Sequence, residues 1–574
     1  MPSAIKRWKL LSHSDAQIEE LQSQLKIHPL LCKLLTQRGI VNFEDAKQFF
    51  RPALSALHDP FLMKDMNKAA DRILKAIKDK EKILVFGDYD VDGTSSVAIV
   101  FDFLSKIYGF NNIDYYIPNR YKEGYGLSKM GIDFAEQGGF KLMITLDCGI
   151  KSVELIQSCN EKGIDVIVCD HHLPGPELPK ATAILNAKQS NCSYPYKELC
   201  GCGVGFKLIQ ALSSKLNLPD KMYLPYLELV ATAIASDIVP ITGENRVMAH
   251  FGIKQVNTSP STGIKALIEL SGTEGNINIS SLSYLIGPRI NAAGRMDDAK
   301  KAVALFIEKD RDKAIELAKQ LQIDNLSRRE ADASITEEAV LMMDEDEQFK
   351  HQKSTVVYNP NWHKGVIGIV ASRLIDKAYR PTIVLTKSGE YLTGSARSIP
   401  GFNIHDALEK CQDLLVSFGG HYFAAGLTLK EENLEAFKSR FEEIAQERIH
   451  AGMMHPEIPI DATLELSDCT DSFFNILSQM EPFGPENPKP IFLLKDLMNT
   501  GSRIVKEEHV RFEVSNGNHS ITGISFKSAE KFKGIENASR LDLVCTLEEN
   551  FYRDQRSLQL KVIDFDQAGK KEAV

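Results

Sequence analysis

The chain has 574 residues, 25% of them charged and 43% hydrophobic, and its formal net charge is −9. This composition predicts a soluble protein of several domains, because one core rarely grows past about 250–300 residues. The acidic balance argues against a protein that coats nucleic acid through bulk charge, although it allows a local basic channel. The sequence shows neither an apolar stretch of membrane-spanning length nor the apolar segment of a signal peptide, so we expect a cytoplasmic protein.

In chain order, residues 1–80 are predicted to form an N-terminal helical extension, because leucines recur there at helical spacing. Residues 81–302 contain short apolar runs separated by helical stretches, which predicts an α/β domain with a parallel sheet covered on both faces. These runs begin at Lys82, Ile113, Leu142, Ile164 and Ala181.

Three further segments follow this domain. Residues 303–350 are rich in Ala, Glu, Lys and Leu and are predicted to form a long helical connector. Residues 351–452 are predicted to form a second α/β domain. Residues 456–570 combine short alternating strands with turn signals such as Asn516-Gly517, which predicts a small β-barrel.

Acidic and imidazole side chains follow several of the apolar runs. Ligands of parallel sheets bind beyond the carboxyl ends of the strands, so these side chains are expected to meet. An extended segment would also point alternate aspartates in one direction. The residues are Asp88, Asp90 and Asp92 after the first run, Asp147 after the third, Asp170, His171 and His172 after the fourth, and Asp237 at the end of a later run.

These carboxylates predict bound cations. Clustering them without positive charge would cost on the order of several kcal/mol through repulsion and desolvation. Oxygen-rich ligation with one or two imidazoles suits Mn²⁺ or Mg²⁺ better than structural zinc. A single aspartate after a strand is more often a helix N-cap, and residues 87–94 alone could be a phosphate-binding turn, but that turn lacks the lysine of a P-loop. The joint pattern favours two divalent cations bridged by one aspartate.

The same motifs resemble a known superfamily. Asp170-His171-His172, with the aspartates of residues 88–94, resembles the DHH phosphoesterases, and residues 394–398 and 419–421 resemble their DHHA1 companion domain. Ordered motifs at 120–126, 287–295, 362–368 and 481–488 extend the resemblance to the single-strand-specific 5′-to-3′ exodeoxyribonucleases of that superfamily, whose C-terminal domain is OB-like. The resemblance implies metal-dependent release of 5′-mononucleotides from single-stranded DNA in repair and recombination.

The resemblance also implies residue roles. Asp90 and Asp147 would hold one cation, and Asp92, Asp147, His171 and Asp237 the other, with Mn²⁺ favoured over Mg²⁺. Three further residues would be auxiliary groups close by, namely Asp88, Asp170 and His172. Of these, Asp88 is also counted with the metal ligands and His172 with the catalytic residues. Because neighbours alternate on a regular strand, we expect one histidine to ligate a cation and the other to contact the scissile phosphate.

The predicted substrate-binding groups are cations and polar side chains that suit phosphate. For Arg289 and Arg397 an ion pair at a domain interface is the alternative. Single-stranded DNA is the expected partner of a monomer without membrane contact, and a single-strand-binding protein and a helicase are candidates for further partners. The substrate-binding set is Arg120, Arg289, Asn291, Arg295, Ser395, Arg397 and His421.

Two other functions compete with this interpretation. Shorter DHH–DHHA1 proteins hydrolyse oligonucleotides or cyclic dinucleotides, but they lack the N-terminal extension and the C-terminal barrel. A catalytically inactive DHH scaffold that only binds DNA is the second alternative, although every expected Asp and His is present here.

Overall fold

The computed structural model describes residues 6–109, 112–273, 275–552 and 555–571. The chain forms two compact units: the first unit comprises residues 44–326 and 479–489, and the second unit comprises residues 1–43, 327–478 and 490–574. The predicted N-terminal extension is therefore divided between them. No helix in the described ranges is long and apolar enough to cross a membrane.

The N-terminal segment is not wholly helical. Its first element is a strand that pairs in parallel with residues 457–460, and Trp8 of this strand is buried and donates from Nε1 to Asp564 Oδ2 at 2.8 Å. Four residues carry too little periodicity to be recognised as a strand. The elements are β1 (Arg7–Leu10), α1 (Asp15–Leu25), α2 (Pro29–Thr36) and α3 (Phe43–Phe50).

The first unit contains the parallel sheet, in the order β3-β2-β4-β5-β6. Alternate residues of β2 enter two different apolar cores, Ile83 and Val85 on one face and Leu84 and Phe86 on the other, so both faces are covered as predicted. The elements are α4 (Met66–Lys78), β2 (Ile83–Gly87), α5 (Val91–Tyr108), β3 (Ile113–Tyr116), α6 (Lys129–Gln137), β4 (Leu142–Leu146), α7 (Val153–Glu161), β5 (Asp165–Cys169), β6 (Ala183–Leu185), α8 (Gly201–Lys215), α9 (Leu227–Asp237), α10 (Gly243–Thr258), α11 (Thr262–Ser271), α12 (Ile279–Ser281), α13 (Gly287–Met296), α14 (Lys300–Ile307) and the beginning of α15 (Arg311–Glu345).

The second unit contains a mixed sheet, in the order β10-β11-β9-β8-β7, in which β7 and β8 are parallel. This sheet confirms the predicted second α/β domain, and helix α15 confirms the helical connector. The elements are β7 (Thr355–Tyr358), α16 (Ile367–Ala378), β8 (Thr382–Ser388), β9 (Tyr391–Arg397), α17 (Ile404–Glu409), β10 (Leu415–Gly420), β11 (Ala424–Leu429) and α18 (Leu434–Arg448).

Strands β13 to β19 of this unit form the predicted barrel, whereas β12 pairs with β1. Their order is β13-β14-β18-β19-β17-β16-β15, and an additional pairing of β14 with β16 curls the sheet back on itself. Phe512, Phe532 and Phe565 pack edge to face in its core. The elements are β12 (Glu457–Ile460), β13 (Ala462–Thr463), α19 (Asp471–Ser478), β14 (Phe492–Asn499), β15 (Arg503–Val505), β16 (His509–Ser515), β17 (Ser520–Ser525), α20 (Ala529–Lys533), β18 (Arg540–Tyr552) and β19 (Gln555–Gln567).

Candidate active site

The predicted metal ligands meet at one edge of the parallel sheet. Strands β2, β4 and β5 are neighbours, so the residues that follow them lie side by side. Their ligand atoms form overlapping groups within 4.8 Å, and Asp147 and His171 each belong to two groups. The groups are Asp88, Asp90 and Asp147; Asp92, His171 and Asp237; and Asp147, His171 and His172.

The aspartates after β2 are not on one extended segment. Asp90 is the N-cap of α5, and its Oδ1 accepts a hydrogen bond from Gly93 N at 3.0 Å. Asp92 therefore lies in the first helical turn, where the helix dipole favours a carboxylate. Helix initiation, not strand alternation, brings Asp92 to the side of the sheet that Asp147 occupies.

Asp147 occupies the centre of the cluster. It follows β4 in a left-handed backbone conformation (φ 58°), which is uncommon outside glycine. Its Oδ1 lies 3.3 Å from His171 Nε2, and neither buried atom has a hydrogen-bond partner among the described residues. Buried polar atoms are normally satisfied, so these two atoms fit ligands of a cation.

The protonation of the cluster depends on positive charge. Burial, followed by repulsion from Asp90, raises the pKa of Asp92 to about 7, and burial, followed by repulsion from Asp92, raises that of Asp237 to about 9. Burial, followed by repulsion from Asp92, also raises the pKa of Asp147. Burial, and secondly His172, lower the pKa of His171 to about 3. A neutral imidazole among oxygen donors suits Mn²⁺ or Mg²⁺.

Without metal, the stability of the protein is expected to fall between pH 6.5 and 9. A carboxyl with a raised pKa keeps its proton only in the folded state, so unfolding becomes about 1.4 kcal/mol easier per pH unit for each such proton. Titration of His171 does not change the stability between pH 6.5 and 9, because neither its pKa in the folded protein nor its ordinary pKa lies above 6.5. Urea unfolding in chelator at both pH values measures the effect. Saturating Mn²⁺ is expected to remove it, and equal pH slopes with and without Mn²⁺ would contradict the assignment.

Helix α8 supports the cluster, and sequence reasoning missed this role. Gly201 N and Cys202 N donate to the two carboxylate oxygens of Asp92, each at 2.6 Å. A Cβ atom on Gly201 would lie 2.7 Å from Asp147 Cβ, so only glycine fits there. The glycine-rich start of residues 201–205 was the available signal, since backbone N–H groups at a helix N-terminus bind carboxylates.

Asp170 positions the two histidines. It is buried and accepts hydrogen bonds from Ile150 N, His171 N and His172 N, and its Oδ1 lies 2.7 Å from His172 Nδ1. Strand β5 ends at Cys169, so the assumption of strand alternation does not apply. The two imidazole rings are 4.5 Å apart and both reach the carboxylate of Asp147.

The substitution Asp170→Asn is expected to lower the rate of phosphodiester hydrolysis about tenfold, because residues that orient ligands typically contribute 10–100-fold. The amide cannot accept all of the donors that now hold His172. Initial rates at saturating Mn²⁺ measure this effect. Asp165→Asn, at the opposite end of the same strand, is the control and should retain the rate. Equal rates for the two variants would show that Asp170 does not position the site.

The predicted substrate-binding residues fall into both units. In the first unit, Arg120 lies 4.9 Å above the Tyr89 ring, and Asn291 Oδ1 accepts from Val91 N at 3.2 Å. Both therefore border the aspartate-bearing segment. Asn291 and two predicted arginines share helix α13.

Those two arginines of α13 have further contacts. Arg289 Nε donates to Gln322 Oε1 at 2.7 Å, and the carbonyl of Arg295 accepts a hydrogen bond from Tyr121 Oη. Helix α13 thus contacts the aspartate-bearing segment through Asn291, and it contributes no carboxylate to the cluster.

Three predicted substrate residues belong to the second unit. Arg397 Nη1 donates to Ser395 Oγ at 3.0 Å at the end of β9. A Cβ atom on Gly368, near the start of α16, would lie 2.9 Å from Ser395 Oγ and 3.0 Å from Arg397 Nη2. His421 lies in the turn between β10 and β11 and is exposed. Ser395 and Arg397 form one compact polar pair next to the N-terminus of a helix, an arrangement that suits an anion.

Comparison with known proteins identifies the family. Family models match at residues 82–234 (DHH family, N-terminal domain), 351–447 (DHHA1 domain) and 460–564 (RecJ OB domain). Single-stranded-DNA-specific exonuclease RecJ of Bacillus subtilis is 37% identical over 98% of this chain and 72% of its own length. RecJ of Escherichia coli is 33% identical over 94% of this chain and 96% of its own length. The chain belongs to the RecJ family.

Solved structures agree with this assignment. RecJ from Thermus thermophilus in complex with Mn²⁺ matches with a TM-score of 0.85 at 27% identity, over 99% of this chain and 80% of that one. The same protein in complex with Mg²⁺ matches with a TM-score of 0.79. The resemblance to the DHH superfamily, the fold class and the OB-like C-terminal domain are thereby confirmed for this RecJ-family protein.

Proposed function

We propose that this protein is a metal-dependent exonuclease that releases 5′-mononucleotides from the 5′ end of single-stranded DNA in repair and recombination. The observation that carries the proposal is the cluster at the carboxyl ends of β2, β4 and β5, in which Asp147 Oδ1 and His171 Nε2 are buried and have no hydrogen-bond partner within the described part of the chain. Its family includes exonucleases specific for single-stranded DNA.

The carboxylates and His171 would hold two divalent cations, Mn²⁺ or Mg²⁺. Asp90 and Asp147, with Asp88 beside them, would bind one, and Asp92, Asp147, His171 and Asp237 the other. When bound, such a pair lowers the pKa of the attacking water and stabilises charge on the phosphate during displacement. The chain holds its donors in place through the helix starts of α5 and α8.

His172 is proposed to contact the scissile phosphate. Burial lowers its pKa, but the hydrogen bond and the charge of Asp170 raise it further, so the net pKa lies above the ordinary value. The imidazole therefore keeps its proton at higher pH and can donate to a phosphate oxygen. Its side chain is 38% exposed, compared with 10% for His171, so substrate can reach it.

Phosphate binding is assigned to the predicted cations of both units. Five residues are proposed for the 5′ end and the first phosphates of the strand: Arg289, Asn291, Ser395, Arg397 and His421. Arg120 and Arg295 belong to the same substrate-binding set, because arginine forks suit phosphate. The same proposal includes the domain limits 81–302, 351–452 and 456–570. It also includes a monomeric state, a cytoplasmic location, and a single-strand-binding protein and a helicase as partners.

Digestion of a 3′-labelled oligonucleotide tests the function. With Mn²⁺ or Mg²⁺, the single strand is expected to shorten from its 5′ end, while the blunt duplex and the strand in chelator stay intact. A dinucleotide and a cyclic dinucleotide serve as competing substrates. Rapid hydrolysis of those small molecules with an intact oligonucleotide would favour the small-substrate phosphodiesterases, and binding without hydrolysis would favour an inactive scaffold.

A further inference from the structure

An apolar groove lies within the first unit, at the end of α9 that carries the predicted ligand Asp237. It is lined by the end of α9, by α12 and the following π-helical turn Leu282–Ile286, and by residues 483–489, and its volume is about 330 Å³. This volume is at the lower end of the range for ligand pockets, about 300–1,000 Å³. We propose that the groove holds a nucleobase next to the scissile phosphate and that Ile238 and Tyr284 contact this base. The inference rests on the proposed function.

Ile238 has an unfavourable backbone conformation. It follows the predicted ligand Asp237 as the C-cap of α9, with φ 60° and ψ 35°. The residue is 67% exposed. This left-handed region is where helices usually place glycine, and a β-branched residue there is an outlier. An exposed apolar side chain does not offset that strain through burial. Strain at such a position indicates that the side chain itself has a function.

Tyr284 presents an aromatic ring at the same groove. It is 76% exposed, whereas Leu282 and Ile286 of the same π-helical turn are fully buried. The turn is thus anchored and the ring is presented outward. π-Helical turns occur frequently at functional sites. Aromatic rings stack on bases without sequence preference, as a nuclease of single strands requires.

The third wall of the groove is formed by the motif at 481–488, which has no role in the metal centre. Arg246 Nη1 donates to the carbonyls of Met480 (3.0 Å) and Pro482 (3.3 Å), and Ile241 N donates to Pro485 O at 2.9 Å. These contacts hold a segment more than 230 residues away in sequence against the end of α9. The motif at 481–488 therefore completes the groove with the Phe483 ring.

The metal centre is more open at Asp237 than at Asp92 or Asp147. The side chain of Asp237 is 26% exposed, compared with 0% for Asp92 and 3% for Asp147. The next residue, Ile238, lines the apolar groove. A strand of DNA alternates anionic phosphates with flat apolar bases. A phosphate at the cation that Asp237 would help to hold, and a base in the groove, would therefore match both halves of one nucleotide.

Equilibrium binding of abasic oligonucleotides tests the base contact independently of hydrolysis. Single strands with one abasic residue at each successive position from the 5′ end are compared by fluorescence anisotropy in chelator. For the wild-type protein, one position near the 5′ end is expected to weaken binding about tenfold, as for loss of one stacked base. In Ile238→Gly and Tyr284→Ala that position is expected to lose its effect, and Tyr284→Phe should restore it.

Ile238→Gly separates a binding role from a structural one. Glycine relieves the left-handed strain, so the melting temperature and Mn²⁺ affinity should not fall, while the KM for single strands rises and kcat changes little. Leu216→Ala, at the far end of α8, is the control for loss of an exposed apolar side chain. If Ile238→Gly and Tyr284→Ala lost as much binding affinity for abasic strands as for intact strands, the proposal would be overturned. Failure of the proposed nuclease function would appear separately, as absent hydrolysis with normal binding.

Discussion

Asp147→Asn is expected to reduce the hydrolysis of single-stranded DNA by about 10⁴-fold or more, because the neutral amide no longer provides a negative charge to either predicted cation. Asparagine has nearly the same shape and tolerates the left-handed backbone that Asp147 adopts. The fold should therefore persist, and removal of a repelled buried charge should not lower the melting temperature. Rates at saturating Mn²⁺ and melting curves of the metal-free protein in chelator measure the two effects.

The control for this variant is Asp79→Asn, an exposed aspartate that caps α4 in the same unit. It removes the same charge without approaching the cluster and should retain the wild-type rate. Single-strand binding should also survive in Asp147→Asn, because the proposed phosphate-binding cations are intact. Hydrolysis within tenfold of the wild type would exclude Asp147 as the shared ligand.

Gly201→Ala is expected to lower the rate about 100-fold, although alanine is the better helix former. Its methyl group would lie 2.7 Å from Asp147 Cβ and 2.8 Å from Asp147 Oδ1, so the helix or the aspartate has to move. Displacement of a reacting group by about 1 Å commonly costs this much. The same movement would weaken the two N–H donors to Asp92, so Mn²⁺ affinity should fall together with the rate.

Gly203→Ala, two residues along the same helix, is the matched control. A Cβ atom there would come no closer than 3.4 Å to Leu199 Cδ2, which is ordinary contact. Stability and rate should stay at the wild-type level. If both alanine variants retain activity and Mn²⁺ affinity, the close approach of α8 does not position the ligands.

The sequence predicts features that depend on local periodicity. Buried strands such as β2 and β4 are continuous apolar runs, so the parallel sheet and the side chains after its strands are recognisable. Contacts between distant segments cannot be recognised from local periodicity. Asp92 meets the N-terminus of α8 across 109 residues, and the strand β1 exists only because residues 457–460 pair with it. The conformation of His171 and His172 depends on where β5 ends, which periodicity locates only approximately.

The most direct test of the metal-centre assignment is to titrate chelator-treated protein with Mn²⁺ while measuring bound metal and single-strand hydrolysis in the same sample. The account predicts that hydrolysis appears as the second Mn²⁺ ion per chain binds, and that Asp147→Asn loses both high-affinity binding and hydrolysis. Full hydrolysis in chelator, or normal binding of two ions by Asp147→Asn, would contradict it.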